Sequence, residues 1–169
     1  ALAELDPLAV PFIHDGAGGA RETVSLHLPE GAAPAEMLAA AGLAMLRGAG
    51  RKTGDMALHV PRNSPLFAGW VPLRLSAAPE QPFAEIVAGM EAALSDPATQ
   101  CGFFADLPAR DPEIGGLRVP PFALSPDGGD LAAAPLCLAL TPEGAMLHYT
   151  AGSLTTEELA HIRERIETA

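Results

Sequence analysis

The sequence has 169 residues, of which 49% are apolar, and it carries a formal net charge of −11 at pH 7. The length and the apolar content predict one folded domain and argue against intrinsic disorder. Because nucleic acids and anionic membranes attract basic surfaces, the acidic charge argues against either as a partner.

Nothing in the first residues is typical of an export signal, because the segment ALAELDPLAV is acidic and has no basic region. No apolar run approaches the length of a membrane-spanning helix. The two cysteines, Cys101 and Cys137, show neither metal-ligand nor redox spacing, and we interpret them as buried thiols. We therefore expect a cytoplasmic protein, and the composition is compatible with a bacterial one.

Residues 1–20 are predicted to form a linker or an extended N-terminal segment. They contain Pro7, Pro11 and a glycine-rich run at residues 16–19, all of which disfavour regular structure. A single subdomain is predicted to occupy residues 21–169.

Two strands and a helix are predicted in the first part of this subdomain. Val24, Leu26 and Leu28 alternate with polar residues, which indicates a half-buried strand. Residues 34–47 are apolar nearly all round and predict a helix that is buried on most sides. Residues 55–60 predict a second strand.

The pattern that is easiest to interpret spans residues 69–94, where a strand is followed by a helix. Leu73 and Leu75 flank Arg74 in a predicted strand, and Pro82 is predicted to occupy the first position of the next helix. The apolar stripe of that helix consists of Phe83, Ile86, Val87, Met90 and Leu94. One shared core is predicted from the strand and the helices. Its members are Leu73, Phe83, Ile86, Val87 and Met90 together with Met37, Leu38, Met45, Leu159 and Ile162.

Residues 96–130 are predicted to be irregular, because they hold six prolines and five glycines. Their apolar residues are too many for an exposed loop, so we expect an internal plug or a contact with a neighbouring domain or a second copy. These residues are Phe103, Phe104, Leu107, Ile114, Leu117, Val119 and Phe122. A hairpin is predicted across residues 141–144, and Thr155 and Glu158 have the capping-box spacing of a final helix.

The predicted order of elements is β-α-β-β-α, then loops, then β-β-α. This order indicates an α/β, or α+β, fold. We expect a two-layer sandwich in which the helices cover one face of a mixed sheet.

His14 is one of two weak catalytic candidates. It precedes Asp15 and Gly16, and an imidazole beside a carboxylate can act as a general base in acyl transfer. Adjacent residues of an extended segment point in opposite directions, however, and a segment rich in glycine and proline positions side chains poorly.

The other histidines are scattered along the chain. His27, His59 and His148 lie in predicted strands, and His161 lies on the polar side of the last helix. His148 is the second weak catalytic candidate. No two histidines share metal-ligand spacing, so the sequence predicts no metal site and no cofactor. The turn at residues 127–130 lacks the ligands of a calcium loop and is interpreted as flexible.

Four collinear segments resemble parts of a known family. They are AEMLAAAGLAMLRGAGRKTGDMALHVPRN, FAGWVPLRLS, QPFAEIVAGMEAALSDP and LCLALTPEGAMLHYTAGSLTTEELAHIRERIE. The second segment has Val71-Pro72-Leu73-Arg74 where the family has Leu-Pro-Leu-Arg. In this order, from about Arg21 to the end, the chain resembles the C-terminal half of a condensation domain of nonribosomal peptide synthetases.

The chain also departs from that family. The family's catalytic His-His-x-x-x-Asp-Gly run belongs to the other half, and the Asp-Phe-Gly-Trp-Gly signature of this half is absent. Leu58-His59 replaces a usual Gly-Thr, and Gly69 stands where an Asn is usual. These departures indicate an isolated or degenerate half-domain, of the kind that precedes adenylation domains in some synthetases and reductases.

The resemblance implies a fold like the chloramphenicol acetyltransferase subdomain and a place beside adenylation or carrier domains in secondary metabolism. The leading hypothesis is a non-catalytic, condensation-like subdomain that acts as a scaffold or docking surface and that self-associates when isolated. One alternative is an active acyltransferase of the same superfamily that uses His14 or His148. Another is a free-standing module that binds a small molecule.

Overall fold

The computed structural model describes residues 2–10, 13–14, 19–29, 31–61, 65–96, 103–114 and 116–169. Six strands are described: β1 (Arg21–Leu26), β2 (Thr53–His59), β3 (Trp70–Ser76), β4 (Phe122–Ser125), β5 (Leu136–Thr141) and β6 (Gly144–Thr150). Four helices are described: α1 (Pro34–Gly48), α2 (Phe83–Ser95), the short α3 (Leu107–Arg110) and α4 (Thr156–Glu167). A single 3-10 turn covers Leu2–Glu4.

The strands form one mixed sheet in the order β1-β6-β5-β4-β2-β3. The three neighbouring strands β2, β4 and β5 run parallel, and the outer pairings are antiparallel. Helices α1, α2 and α4 bury their apolar sides against one face of the sheet. The predicted two-layer sandwich with a mixed sheet is therefore confirmed.

The main core lies between the sheet and these three helices. Leu73, Ile86, Met90, Leu38, Met45 and Ile162, all predicted to be core residues, are buried there, and Val87, Met37 and Leu159 pack against them. Phe83 differs, because its side chain is 38% exposed. Helix α2 begins at Phe83, with Pro82 as its N-cap rather than its first residue. The Phe83 side chain lines a groove together with Met37 and Ile166.

The N-terminal segment completes the sheet beside β2. Strand β4 pairs with β2 only at Ala57 and Leu58, which leaves the backbone of Asp55 open on that side. The Leu8 amide donates to the Asp55 carbonyl and the Asp55 amide donates to the Asp6 carbonyl, both at 2.9 Å. Leu8 is fully buried in the main core. Residues 6–8 are thus extended and packed against the sheet.

The face of the sheet opposite α1, α2 and α4, which we call the second face, carries a smaller core. Ala57, Trp70, Ala123, Leu131 and Cys137 are buried in it. From the segment predicted to be irregular, Phe103, Leu117 and Val119 pack against this cluster. Among the described residues, much of this apolar segment therefore folds back as an internal plug.

The prediction that residues 96–130 are irregular is wrong for β4. Its four residues are all buried, and Phe122 and Leu124 point into the main core. A strand buried on both faces shows no polar alternation, so the surrounding prolines and glycines concealed it. The capping box of α4, in contrast, is confirmed. The Glu158 amide donates to the Thr155 hydroxyl at 3.2 Å, and the Thr155 amide donates to the Glu158 carboxylate at 2.7 Å.

Candidate functional site

His14 belongs to the N-terminal segment and contacts the first turn of α4. Its Nε2 is 3.3 Å from a carboxylate oxygen of Glu158, and its backbone amide donates to the Ser153 carbonyl. The imidazole side chain is 61% exposed. Asp15 and Gly16, which made this position a catalytic candidate, lie outside the described residues. The contact that is described links the N-terminal segment to the capping box.

His148 lies on the second face of the sheet, on β6. Its Nδ1 is within hydrogen-bond distance of the Thr23 hydroxyl, at 2.8 Å, and its Nε2 is buried without a partner among the described residues. Burial lowers the pKa of His148, the Asp130 carboxylate opposes this with a smaller effect, and the Arg21 cation lowers the pKa further. The side chain is therefore a neutral imidazole at pH 7, a form that can accept a proton.

Cys137 is the register neighbour of His148 on β5, which raises the question of a thiol nucleophile. Burial raises the pKa of Cys137 to about 11. A thiol with such a pKa carries almost no reactive thiolate at neutral pH. The pair therefore lacks the chemistry of a cysteine–histidine nucleophile. Cys101 lies outside the described residues.

A polar cluster that the sequence reasoning missed lies where the parallel strands β2 and β4 end. One oxygen of Asp127 accepts hydrogen bonds from His59 Nδ1 and the Ser125 hydroxyl, both at 2.8 Å, and from the Gly129 amide at 3.2 Å. Burial raises the pKa of Asp127, but the hydrogen bonds from Ser125 and Gly129 and the nearby His59 outweigh it and lower the pKa below its ordinary value.

The chemistry of this cluster is structural rather than nucleophilic. Ser125 and His59 both bond to Asp127, whereas an activated serine would bond to the histidine. A Cβ added to Gly129 would lie 2.2 Å from the His59 ring, so the loop needs a glycine there. The sequence Asp127-Gly128-Gly129-Asp130 by itself predicts a flexible turn. The structure shows this loop tied down onto the sheet.

The two remaining histidines are His161, which lies in α4, and His27, which contacts the end of that helix. The backbone amide of His27 donates to the Glu167 carboxylate at 2.9 Å. His161 Nε2 accepts a hydrogen bond from Arg165 at 3.1 Å within the helix. Each of the five histidines thus has different hydrogen-bond partners, and no hydrogen bond between two histidines is described.

A charged cluster holds the N-terminal segment against β2. Asp55 is 2% exposed, and Arg74 on the paired strand donates to both of its carboxylate oxygens, at 2.9 and 2.7 Å. The Asp6 amide donates to the same carboxylate at 2.6 Å, and Arg51 pairs with the Asp6 side chain. Burial by itself would raise the pKa of Asp55, but the bonds from Arg74 and Asp6 outweigh it and lower the pKa below 3.8.

Replacing Arg74 with alanine is expected to lower the free energy of unfolding, because the buried Asp55 carboxylate loses its charged donor. Arg74→Lys should lower the free energy of unfolding less, since lysine keeps the positive charge although it cannot form the bidentate contact with the carboxylate. The pKa of Asp55 is lowered in the folded state, so this stabilisation is present above pH 3.8 and is lost as the pH falls through the folded-state pKa. Urea unfolding at neutral and acidic pH measures it. A loss from Arg74→Ala that stays constant across this range would contradict the assignment.

An apolar pocket opens beside the smaller core. Its volume is about 190 Å³, and its walls include Trp70, Phe103, Leu117, Val119, Leu131 and Ala133. The Trp70 and Phe103 rings meet edge to face, with centroids 5.2 Å apart. Next to it, Phe67 and Phe104 stack at 5.2 Å, and Phe104 is 54% exposed.

The part of the chain that the structure describes holds neither a metal-binding cluster nor a membrane-spanning helix. Its histidine, cysteine, aspartate and glutamate side chains form no group of three or more arranged to hold a metal ion. Its helices include none that is long and apolar enough to cross a membrane.

No protein family and no curated protein matches the sequence, but solved structures match the fold. The EpoB cyclization-docking bidomain from Sorangium cellulosum matches with a TM-score of 0.72 at 13% identity, over 98% of this chain and 44% of that one. The X-domain, solved in complex with OxyB from teicoplanin biosynthesis, matches with a TM-score of 0.64 at 18% identity, over 98% and 49%. The starter condensation domain of rhizomide synthetase RzmA matches with a TM-score of 0.59 at 19% identity, over 88% and 43%.

These matches confirm the resemblance at the level of the fold. The chain spans less than half the length of each of these three structures. It therefore has the fold of about half of a condensation domain, consistent with the C-terminal half to which its segments are similar.

Proposed function

We propose that the chain is a non-catalytic, condensation-like subdomain of a nonribosomal peptide synthetase or a related adenylating enzyme. In this role it serves as a scaffold or docking surface beside an adenylation or carrier domain. The fold supports this proposal, since it matches about half of several solved condensation-type structures.

The dispersion of the histidines carries the proposal. Acyl transfer to an amine needs a base that reaches the nucleophile and is itself oriented. In this chain His14 contacts Glu158, His59 contacts Asp127 and His148 contacts Thr23, and the three lie on different elements. Each of these three imidazoles thus has a partner within the fold, and among these partners only the Thr23 hydroxyl, at His148, belongs to a class of side chain that can act as a nucleophile.

One observation favours the alternative of an active acyltransferase. The Nε2 atom of His148 has no partner among the described residues, and burial keeps this imidazole neutral. A neutral imidazole with an unused nitrogen is the form that a general base requires. His148 is therefore the residue to test first.

The purified chain is expected to give no acyl transfer from an acyl-loaded carrier protein to an amine acceptor, because it lacks a paired-histidine site. The measurement is product formation, with an intact condensation domain assayed in parallel as the positive control. Turnover that disappears in His148→Ala or His14→Ala would replace the scaffold proposal with the acyltransferase. His161→Ala is the matched control, since this exposed residue bonds only within its own helix.

A further inference from the structure

The pocket that Trp70 and Phe103 help to line has the size of a single apolar side chain. Its volume of about 190 Å³ is below the range of roughly 300–1,000 Å³ that is usual for small-molecule sites. It is close to that of engineered cavities, about 150 Å³, that accept one benzene ring. A larger pocket of about 250 Å³ lies nearby, but Glu113 and Arg118 line it, so it is less suited to an apolar group.

The rim of the pocket is an apolar surface on a fixed frame. The Ala68 amide donates to the Phe103 carbonyl at 2.7 Å, and the Ala105 amide donates to the Leu66 carbonyl at 2.9 Å. This short ladder holds the exposed ring of Phe104 against Phe67. Rigid apolar surface around a pocket lowers the entropy that a partner's binding would cost.

The opposite wall is fixed as well. Leu131 and Ala133 belong to the loop between β4 and β5. This loop is tied to the sheet at Asp127 through His59 and at Asp130, which receives two hydrogen bonds from Arg21 at 2.9 and 2.6 Å. Both walls of the pocket are therefore formed before anything binds.

We infer that this pocket is the anchor point of the proposed docking surface and that it takes one large apolar side chain of a partner polypeptide. A buried apolar anchor surrounded by a rim that excludes water is the usual energetic centre of a protein interface. The net charge of −11 favours a partner segment with basic residues around that side chain. The inference rests on the proposed docking role and adds the chemistry of the partner.

The test uses the fluorescence of Trp70, the one tryptophan of the sequence, which lies in the pocket wall. The probes are the blocked tripeptides acetyl-Arg-Phe-Arg-amide and acetyl-Arg-Ala-Arg-amide, together with benzyl alcohol. The phenylalanine peptide should give a saturable change, and the alanine peptide should bind roughly tenfold or more weakly, because it leaves the pocket unfilled.

Two variants locate the site. Ala133→Leu adds a side chain from the pocket rim and should abolish the response to the phenylalanine peptide. Ala132→Leu adds the same group at the neighbouring exposed residue, which is not part of the pocket wall, and should leave the response unchanged. Both alanines are exposed, so neither change strains the core, and thermal unfolding checks this.

The inference is overturned if the phenylalanine peptide gives no saturable change, or if Ala133→Leu responds like the original chain. Saturable binding of benzyl alcohol without binding of the peptide would assign the pocket to a small molecule instead. Acyl transfer in the assay above would overturn the proposed function but leave peptide binding intact, so the two failures are distinguishable.

Discussion

Replacing Leu8 with alanine is expected to lower the free energy of unfolding by about 2–5 kcal/mol, the usual loss for an enclosed leucine. Leu8 is fully buried and contacts the main core, although it precedes β1 by more than ten residues. A Cβ placed on Gly54 of β2 would lie 3.2 Å from Leu8, so the leucine packs directly on the sheet. Urea unfolding followed by circular dichroism measures the loss.

Leu5→Ala is the control in the same segment. Leu5 is only partly buried and packs against the smaller core, so its truncation should cost less. If Leu8→Ala left the unfolding midpoint unchanged, residues 6–8 would be a dispensable linker. The expected result instead makes these residues part of the folded unit, and a chain that starts at residue 21 should then be markedly less stable.

The sequence predicts best those elements whose signals are local. Helices α2 and α4 show apolar stripes, α1 is apolar nearly all round, and Thr155 and Glu158 form the capping box that their spacing indicates. The hairpin of β5 and β6 turns at residues 141–144 as expected. In each case the residues that carry the pattern also make the contact, so distant partners are not needed to recognise it.

Elements whose stability comes from distant partners could not be predicted in this way. Strand β4 has four residues, and its partners on β2 and β5 fix it in place. The segment around Leu8 is held by Asp55, which is 49 residues from its partner Asp6. His59 and Asp127 are separated by 68 residues, and no pattern around either one predicts their bond.

The same distinction explains what could be predicted of the candidate site. The resemblance to condensation domains came from collinear segments, and it gave the fold that the solved structures confirm. The pocket depends on bringing Trp70, Phe103 and Leu131 together from three parts of the chain. The sequence indicates only that the apolar residues after Cys101 must be buried against something. It did not predict that Phe103 would become a pocket wall while Phe104 stayed exposed.

Replacing Ile86 with alanine is the second substitution with a large expected effect, a loss of about 2–5 kcal/mol in the free energy of unfolding. Ile86 is 4% exposed and belongs to the core between α2 and the sheet. The loss has two parts: the folded state no longer gains the free energy of burying the removed methyl groups, and it contains the cavity that they leave. Urea unfolding should show a lower midpoint with an unchanged dependence on denaturant, since the surface exposed on unfolding stays similar.

Phe83→Ala on the same helix is the matched control. It removes a larger side chain, but Phe83 is 38% exposed at the open groove, so water already reaches the ring and little cavity forms. If the size of the side chain alone decided the loss in free energy of unfolding, Phe83→Ala would lose more than Ile86→Ala. Because Ile86 is enclosed and Phe83 is not, we expect Ile86→Ala to lose more. If Phe83→Ala proved the more destabilising, the first turn of α2 would be packed more tightly than the exposure of Phe83 indicates. That helix would then join the sheet along its whole apolar stripe, as the sequence pattern alone predicts.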